Sequence, residues 1–373
     1  MDHYDVRYNI SDSLNIVTMK RVIALVDCSI PINTRNQKII DSIKRTISNA
    51  EIHVITWNRE GVSLESSPYF HTYNRVAPYA DAVAKLKGMY GFKKYIGEVL
   101  KHIRPEIIIA SHWSNLVLVS GYKTSSQKLI YENLDIPTGG SIIRHISCFF
   151  ERKSLKKVDL VVHASRFFRP LYNQSISQII LENKPTFSPN KKTSITSKPL
   201  KVAFIGSIRY KDILENLVNA IGNNEQFELY FHGGGEDLHA MQEYCKGISN
   251  VFFTGKYDYS KILELYHQSD IIWAAYPNRD YNVVYAISNK FHESLYVGVP
   301  CIYADHTKLA DLVRQENIGF VVDPYNTSNI KDLFNDIASG KIDIDSVKKS
   351  MEEFQSKENT WENDFEQLVE FLK

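Results

Sequence analysis

The stretch ENKPTFSPNKKTSITSKPLKVAFIGSI, residues 182–208, decides how the chain divides. Residues 182–200 hold Pro185, Pro189 and Pro199 among Ser, Thr and Lys with almost no aliphatic side chains, the composition of a linker. Directly after it, KVAFIGSI at 201–208 is an apolar run closed by a glycine and reads as a strand. A strand pattern that restarts behind a linker points to a second domain.

Before the linker, VIALVD (22–27), EIHVITW (51–57), EIIIASHW (106–113), KLIYENLD (128–135) and VDLVVHAS (158–165) read as strands, with helical patterns over 36–48 and around 92–103. After it, FELYFHGGG (227–235), VFFTG (251–255), DIIWAAY (270–276), PCIYAD (300–305) and IGFVVD (318–323) follow KVAFIGSI, with helices at 211–221, 260–268, 288–297 and 307–315. Such alternation builds parallel sheets covered by helices. The fold class is α/β: two tandem Rossmann-like doubly wound domains. The reading divides the chain into residues 1–185, whose polar first 18 are an extension, a linker at 186–200, a second domain at 201–350 and a tail at 351–373. In the tail Phe354, Trp361, Phe365, Leu368 and Leu372 recur at roughly helical spacing, which predicts one amphipathic helix whose apolar stripe needs a groove. Folds of this class bind ligands at the carboxyl ends of their strands, so the site belongs in the cleft between the domains.

A chain of 373 residues suits two domains, and 43% apolar with 23% charged residues is a globular composition. No run approaches the roughly 18 to 20 apolar residues of a membrane span. VIALV at 22–26 ends in Asp27 without a cleavage pattern, which implies a cytoplasmic protein. Cys28, Cys148, Cys245 and Cys301 are too scattered for a disulfide framework or zinc site and read as buried thiols. The net charge of +1 hides an asymmetry: 28 Lys and Arg against 16 Asp and Glu in residues 1–200, and 16 against 27 in 201–373. The cluster Arg144, Arg152, Lys153, Lys156, Lys157, Arg166 and Arg169 suits phosphates or an anionic lipid surface.

Several chemistries lack their parts. No Gly-x-Gly-x-x-Gly follows a first strand, and neither a phosphate loop nor a nucleophile elbow is present. Asp343-Ile344-Asp345 lies past the last strand in a polar connection and reads as a solvated turn, not a metal grip.

The second half offers more. Gly206 closes its first strand, and Arg209 and Lys211 follow where a helix begins, a setting for a diphosphate. Gly234 and Gly235 in FHGGGED, and Gly255 ahead of Tyr257 in VFFTGKYD, recur at the same sheet edge. In SNKFHESLYVGVPCI, Asn289 opens a helix on which Lys290 and Glu293 share a face. Glu293 can accept ribose hydroxyls while Lys290 reaches the attached phosphates.

FIGSIRYKD, HGGGED, VFFTGKYD, HQSDIIWAAYP and NKFHESLYVGVPCI, in this order from 201 to about 323, resemble the donor domain of GT-B glycosyltransferases, in particular the family-four-like enzymes of bacterial polysaccharide assembly. The resemblance implies that Arg209 and Lys211 hold the donor diphosphate, Glu293 the ribose, and residues 252–258 the base, with no metal or other cofactor. The family's first glutamate, eight positions before the second, is Tyr285 here, which puts a sugar contact at that position in doubt. More loosely, IIIASHWSN resembles the segment that brings a histidine to the cleft, making His112 a candidate contact for the transferred sugar, and LIYENLDIP has Leu134 where histidine is frequent. DCSIPINTRNQK replaces the family's glycine-rich first loop, with Thr34 and Arg35 as acceptor contacts. By analogy the last helix crosses back onto the first domain.

The expectation is a metal-independent, retaining hexosyltransferase of surface-polysaccharide biosynthesis. It would use a UDP- or GDP-sugar donor and a glycan or lipid-linked acceptor, with peripheral contact to an anionic membrane and no nucleic-acid partner. Two rivals keep the fold: a sugar-nucleotide epimerase, and a noncatalytic glycosyltransferase-like partner.

Overall fold

The computed structural model describes residues 20–63, 67–77, 82–187 and 198–373. The extension expected at 1–18 and most of the linker, 188–197, lie outside the described residues. The first sheet consists of β1 (Arg21–Asp27), β2 (Ala50–Asn58), β3 (Phe70–Asn74), β4 (Ile107–Ser111), β5 (Lys128–Asn133), β6 (Leu160–His163) and β7 (Ser177–Ile180). The second consists of β8 (Leu200–Ile205), β9 (Phe227–His232), β10 (Val251–Gly255), β11 (Ile271–Ala274), β12 (Cys301–Ala304) and β13 (Phe320–Val322).

Every strand pair in both sheets is parallel. The orders are β3-β2-β1-β4-β5-β6-β7 and β10-β9-β8-β11-β12-β13, so each sheet reverses its winding beside its first strand. β1 pairs Ile23 with Ile52 and with Ile107, and β8 pairs Val202 with Leu229 and with Ile271. These central strands read as unbroken apolar runs because both of their faces are covered.

The helices of the first domain are α1 (Thr34–Thr46), α2 (Ala82–Ile103), α3 (Trp113–Val119) and α4 (Ser141–Leu155). Those that follow are α5 (Lys211–Ile221), α6 (Leu238–Tyr244), α7 (Ile262–His267), α8 (Tyr281–Tyr285), α9 (Asn289–Val297), α10 (Lys308–Glu316), α11 (Thr327–Ala338), α12 (Ile344–Gln355) and α13 (Trp361–Leu372). α2, α3 and α4 cover one face of the first sheet. The other face packs on α1 and on α13, whose Trp361, Phe365, Leu368 and Leu372 are almost wholly buried with Ile23, Ile39 and Ile109. The last helix thus crosses back onto the first domain.

The structure differs from the sequence reading at four points. The tail is two helices, because Thr360 caps a new one with a reciprocal capping box at Asn363, and Phe354 packs with the second core while Trp361 packs with the first. The helix expected around 92–103 already begins at Ala82. β3 and β7 are edge strands with half-exposed, partly polar sequences, FHTYN and SQII, that lack an apolar signature. Cys28 and Cys148 are only half-buried, whereas Cys245 and Cys301 are buried as expected. Asp343 accepts a hydrogen bond from the Asp345 amide and caps α12.

Two buried imidazoles tie this fold to pH. His163 lies between Asn133 and the Gln178 side chain, at 3.1 and 2.8 Å, and burial pushes its pKa down to about 4. His292 is pushed to about 3 by burial and by Lys184 and Arg166 nearby. Both are neutral in the fold and titrate near 6.5 when unfolded, so their contribution is complete above that pH and is lost as pH falls towards the folded values. Each should remove about 2 kcal/mol between pH 6.5 and 5. Thermal unfolding across that window should show a falling Tm, and His163→Gln together with His292→Gln should flatten the slope. An unchanged slope would refute the assignment.

Candidate functional site

The carboxyl ends of both sheets face a cavity of about 750 Å³ lined from both domains. The first domain contributes the loops after β1, β4, β5, β6 and β7, and the second those after β8, β11 and β12. Parallel pairing puts these loops there, since every strand of a sheet ends on the same edge.

His112 enters the cavity from the turn between β4 and α3. Its backbone has φ 73° and ψ 148°, a conformation that costs a non-glycine residue about 1 to 3 kcal/mol. The turn is held on both sides: the His112 amide donates to the Glu132 carbonyl at 2.9 Å, and Nδ1 accepts from the Ser114 amide at 3.3 Å. Burial lowers the ring's pKa, against the pull of Asp135 and Asp27. A neutral ring accepting at Nδ1 carries its proton on Nε2, leaving a hydrogen-bond donor there.

Behind the β1 loop lies a buried polar network. Arg35 Nε donates to Glu132 Oε1 at 2.6 Å, and Asn36 bridges Asp27 and Ser111 at 2.7 and 2.8 Å. Asp27 also accepts from the Asn33 amide at 2.9 Å, fixing the start of α1 beside the cavity. Thr34 and Arg35 both line it.

Across the cavity, Arg209 leaves the loop after β8 with its guanidinium over the Tyr210 ring, 4.8 Å from the centroid. No acidic side chain among the described residues pairs with it. Gly206, at φ 147°, presents open space where a Cβ would stand, at the end of β8 and three residues before Arg209. Gly235 works differently: a Cβ would lie 2.1 Å from the Ile208 carbonyl oxygen, so this glycine lets the β8 and β9 loops pack together. Gly234 belongs to the same packing, its carbonyl accepting from the Ile208 amide at 2.7 Å. Lys211 lies outside the cavity lining and pairs with Glu215 at 2.6 Å on the outer face of α5.

Asn289 lines the cavity and accepts from Asn183 at 3.0 Å across the domains. Lys290 and Glu293 sit one layer behind. The Glu293 carboxylate accepts from Tyr259 at 3.0 Å, Tyr266 at 2.8 Å and Lys290 at 3.1 Å, and is buried. It is therefore engaged within the protein, not an open lip. Burial opposes the Lys290 charge, yet Glu293, Tyr276 and Tyr257 hold its pKa above the ordinary lysine value. Tyr257 is half-buried against this pair, and Tyr276 connects it to the cavity that Tyr276 itself lines.

The structure brings His112, Arg209 and Asn289 to one cavity, with Gly206 at the end of β8, whose following loop enters it. Lys290, Glu293 and Tyr257 form its backing, and Lys211 stands apart. Sequence reasoning missed Tyr276 and Asn282. Asn282 donates to Asp135 at 2.6 Å and accepts from the Ile136 amide at 3.0 Å, joining the domains. The clue was its place in YPNRDYNVVYAISN, a polar loop between a strand and a helix start. Tyr285, at the position of the missing glutamate, gives its carbonyl to Ser165 of the first domain at 2.7 Å. Leu134 lines the cavity without a polar contact of its own.

Comparison with known proteins agrees with this architecture. Residues 188–354 match the family model described as glycosyl transferases group 1. That match spans most of the second domain. No curated protein matches the chain at a significant level. Among solved structures, sucrose-phosphate synthase from Thermosynechococcus elongatus is similar over 94% of this chain and 98% of its own, with TM-score 0.73 and 14% identity. WaaG, a glycosyltransferase involved in lipopolysaccharide biosynthesis, is similar over 94% and 99%, with TM-score 0.67 and 12% identity. HepE of Anabaena in complex with UDP is similar over 94% and 99%, with TM-score 0.66 and 14% identity. The fold is GT-B, two parallel-sheet domains around one cleft.

Arg209→Ala and Glu293→Ala should each weaken nucleoside diphosphate binding at least about tenfold, or ~1.4 kcal/mol, measured by calorimetry. They should differ in stability. Arg209→Ala removes an exposed side chain and should leave Tm nearly unchanged. Glu293→Ala strands the Lys290 ammonium and should cost about 3 to 5 kcal/mol. Parent-like binding by both variants would overturn the assignment.

Proposed function

We propose that the chain is a metal-independent, retaining glycosyltransferase that moves a hexosyl unit from a UDP- or GDP-sugar to a glycan or lipid-linked glycan in surface-polysaccharide assembly. The observation that carries this reading is Arg209, a cation without an acidic partner among the described residues, entering the interdomain cavity opposite His112. The group 1 family match and a similar fold solved with UDP and with UDP-glucose support the donor class.

In this reading the leaving diphosphate lies along the loop after β8. Arg209 and the backbone near Gly206 meet its developing charge, each charge-assisted bond contributing about 1.5 to 3 kcal/mol. Tyr257 and the β10 edge flank the base. Lys290 and Glu293 act from behind, setting the local potential and fixing the start of α9, with the ribose held where Tyr259 meets Glu293. Nε2 of His112 donates to the transferred sugar. The strain and burial at that residue hold the donor in place before the substrate arrives. The acceptor hydroxyl approaches from Thr34 and Arg35, and the departing diphosphate takes its proton, so no protein nucleophile is required.

A thermal-shift and calorimetric screen against UDP, GDP, ADP, CMP and NAD, with magnesium and with a chelator, tests this. A shift with one nucleoside diphosphate, equal with and without magnesium, is expected. Binding only with magnesium would overturn metal independence, and no binding to any of them would point to a noncatalytic partner. Consumption of a UDP-sugar without acceptor, giving an isomer or free UDP, would favour the epimerase.

A further inference from the structure

One corner of the cavity is apolar, and both domains build it. Trp113 at the start of α3 and Leu134 and Ile136 behind β5 line it from the first domain, and Val283 of α8 and Ala286 directly after that helix line it from the second. β4 and β5 pair Ser111 with Glu132, and the His112 amide donates to the Glu132 carbonyl at 2.9 Å, so Trp113 and Leu134 leave adjacent strands side by side. Asn282 donates to Asp135 at 2.6 Å and accepts from the Ile136 amide at 3.0 Å, which brings the next residue, Val283, to the same loop. The Tyr285 carbonyl accepts from Ser165 at 2.7 Å and anchors the far end of α8, where Ala286 follows. Leu134 and Val283 are half-buried and belong to none of the packed cores among the described residues, so the apolar area they keep is presented to the cavity.

The polar groups that frame this corner are engaged with one another. Both ends of the Asn282 side chain are taken, Asp280 accepts from the Asn282 backbone amide at 2.8 Å to cap α8, and the Ser165 hydroxyl is held by Tyr285. At the edge of the corner stands His112, whose Nδ1 is occupied by the Ser114 amide and whose Nε2 is left to donate. The Trp113 ring lies 5.4 Å from the His112 ring, centroid to centroid, so the apolar wall begins where that donor meets a ligand. A sugar hydroxyl entering the corner would leave water for a wall that offers it no partner. A methyl group in the same place would leave water for apolar contact.

We propose that this corner selects a transferred sugar that carries a methyl group where it faces Leu134 and Val283, either the methyl of a 6-deoxyhexose or that of a 2-acetamido group. The inference rests on the function proposed above, which sets His112 at the transferred sugar. His112 Nε2 then donates to one hydroxyl of that sugar, while the neighbouring wall favours a position where a hydroxyl has been replaced. Leu134 and Ile136 come from one domain and Val283 and Ala286 from the other, so the corner is complete only where Asn282 joins the two. Selection therefore belongs to the joined state of the domains.

The test is calorimetric titration of the full chain with sugar nucleotides that share the base it binds: the unmodified hexose, its 6-deoxy form and its 2-acetamido form. At least one of the methyl-bearing donors should bind about tenfold to a hundredfold more tightly than the hexose, and which one does so identifies the methyl. Leu134→Asn and, separately, Val283→Asn should each lower that ratio at least about fivefold, whereas Leu134→Met should keep it. The readout is a ratio between ligands on one variant, so a general loss of affinity or a partly unfolded sample does not imitate it. Affinities for both methyl-bearing donors no better than for the hexose, in a chain that binds the free nucleoside diphosphate, would overturn the selection and leave the glycosyltransferase reading standing. So would a preference that both Asn variants retain. A chain that binds no nucleoside diphosphate would overturn both.

Discussion

Parallel pairing is the constraint on which the rest of the molecule depends. A parallel strand cannot return through a hairpin, so each strand is followed by a crossover, and each chain segment leaving a sheet does so at the same edge. Two such sheets laid with those edges facing gather the loops after eight strands around one cavity. The reversal of winding beside β1 and beside β8 opens the crevices into which Arg35 and Arg209 project. None of these residues is near another in sequence, and their meeting follows from topology.

The two domains are also held by charge at the place where the chain passes between them. Arg166 spans Glu182 and Glu358 at 2.6 Å each, and Lys184 reaches Asp364 at 2.8 Å and Glu358 at 3.3 Å. These pairs join the segment leaving the first domain to the segment returning to it. They are largely buried, so removing one partner exposes the other to an unpaired charge in a poor solvent. Lys38 of α1 donates to the Lys184 carbonyl and lies over Trp361, 3.8 Å from the ring centroid, which fastens the returning helix to the same knot.

The core of this arrangement was legible in the sequence because buried parallel strands leave a composition signal. VIALVD and KVAFIGSI could be read directly, as could the helices expected at 211–221 and 288–297. Edge strands leave no such signal, and α4 passed unread because its apolar side does not face the core. The site was legible only as far as strand ends were. His112 and Arg209 were found because each follows a strand, and Asn289 because it opens a helix. Lys211 was grouped with Arg209 by nearness in the chain, but the left-handed turn at Tyr210, φ 67°, starts α5 and sends the two cations different ways. That Glu293 would be claimed by Tyr259 and Tyr266, 34 and 27 positions away, lies beyond any local pattern.

The return of α13 has a consequence for how the chain is made. Trp361, Phe365, Leu368 and Leu372 complete the core under the first sheet, whose own strands were all synthesised before residue 181. While the second domain emerges from the ribosome, the first waits with Ile23, Ile39 and Ile109 uncovered on that face. Order of synthesis and order of packing are inverted, so the first half to be born is the last to be finished.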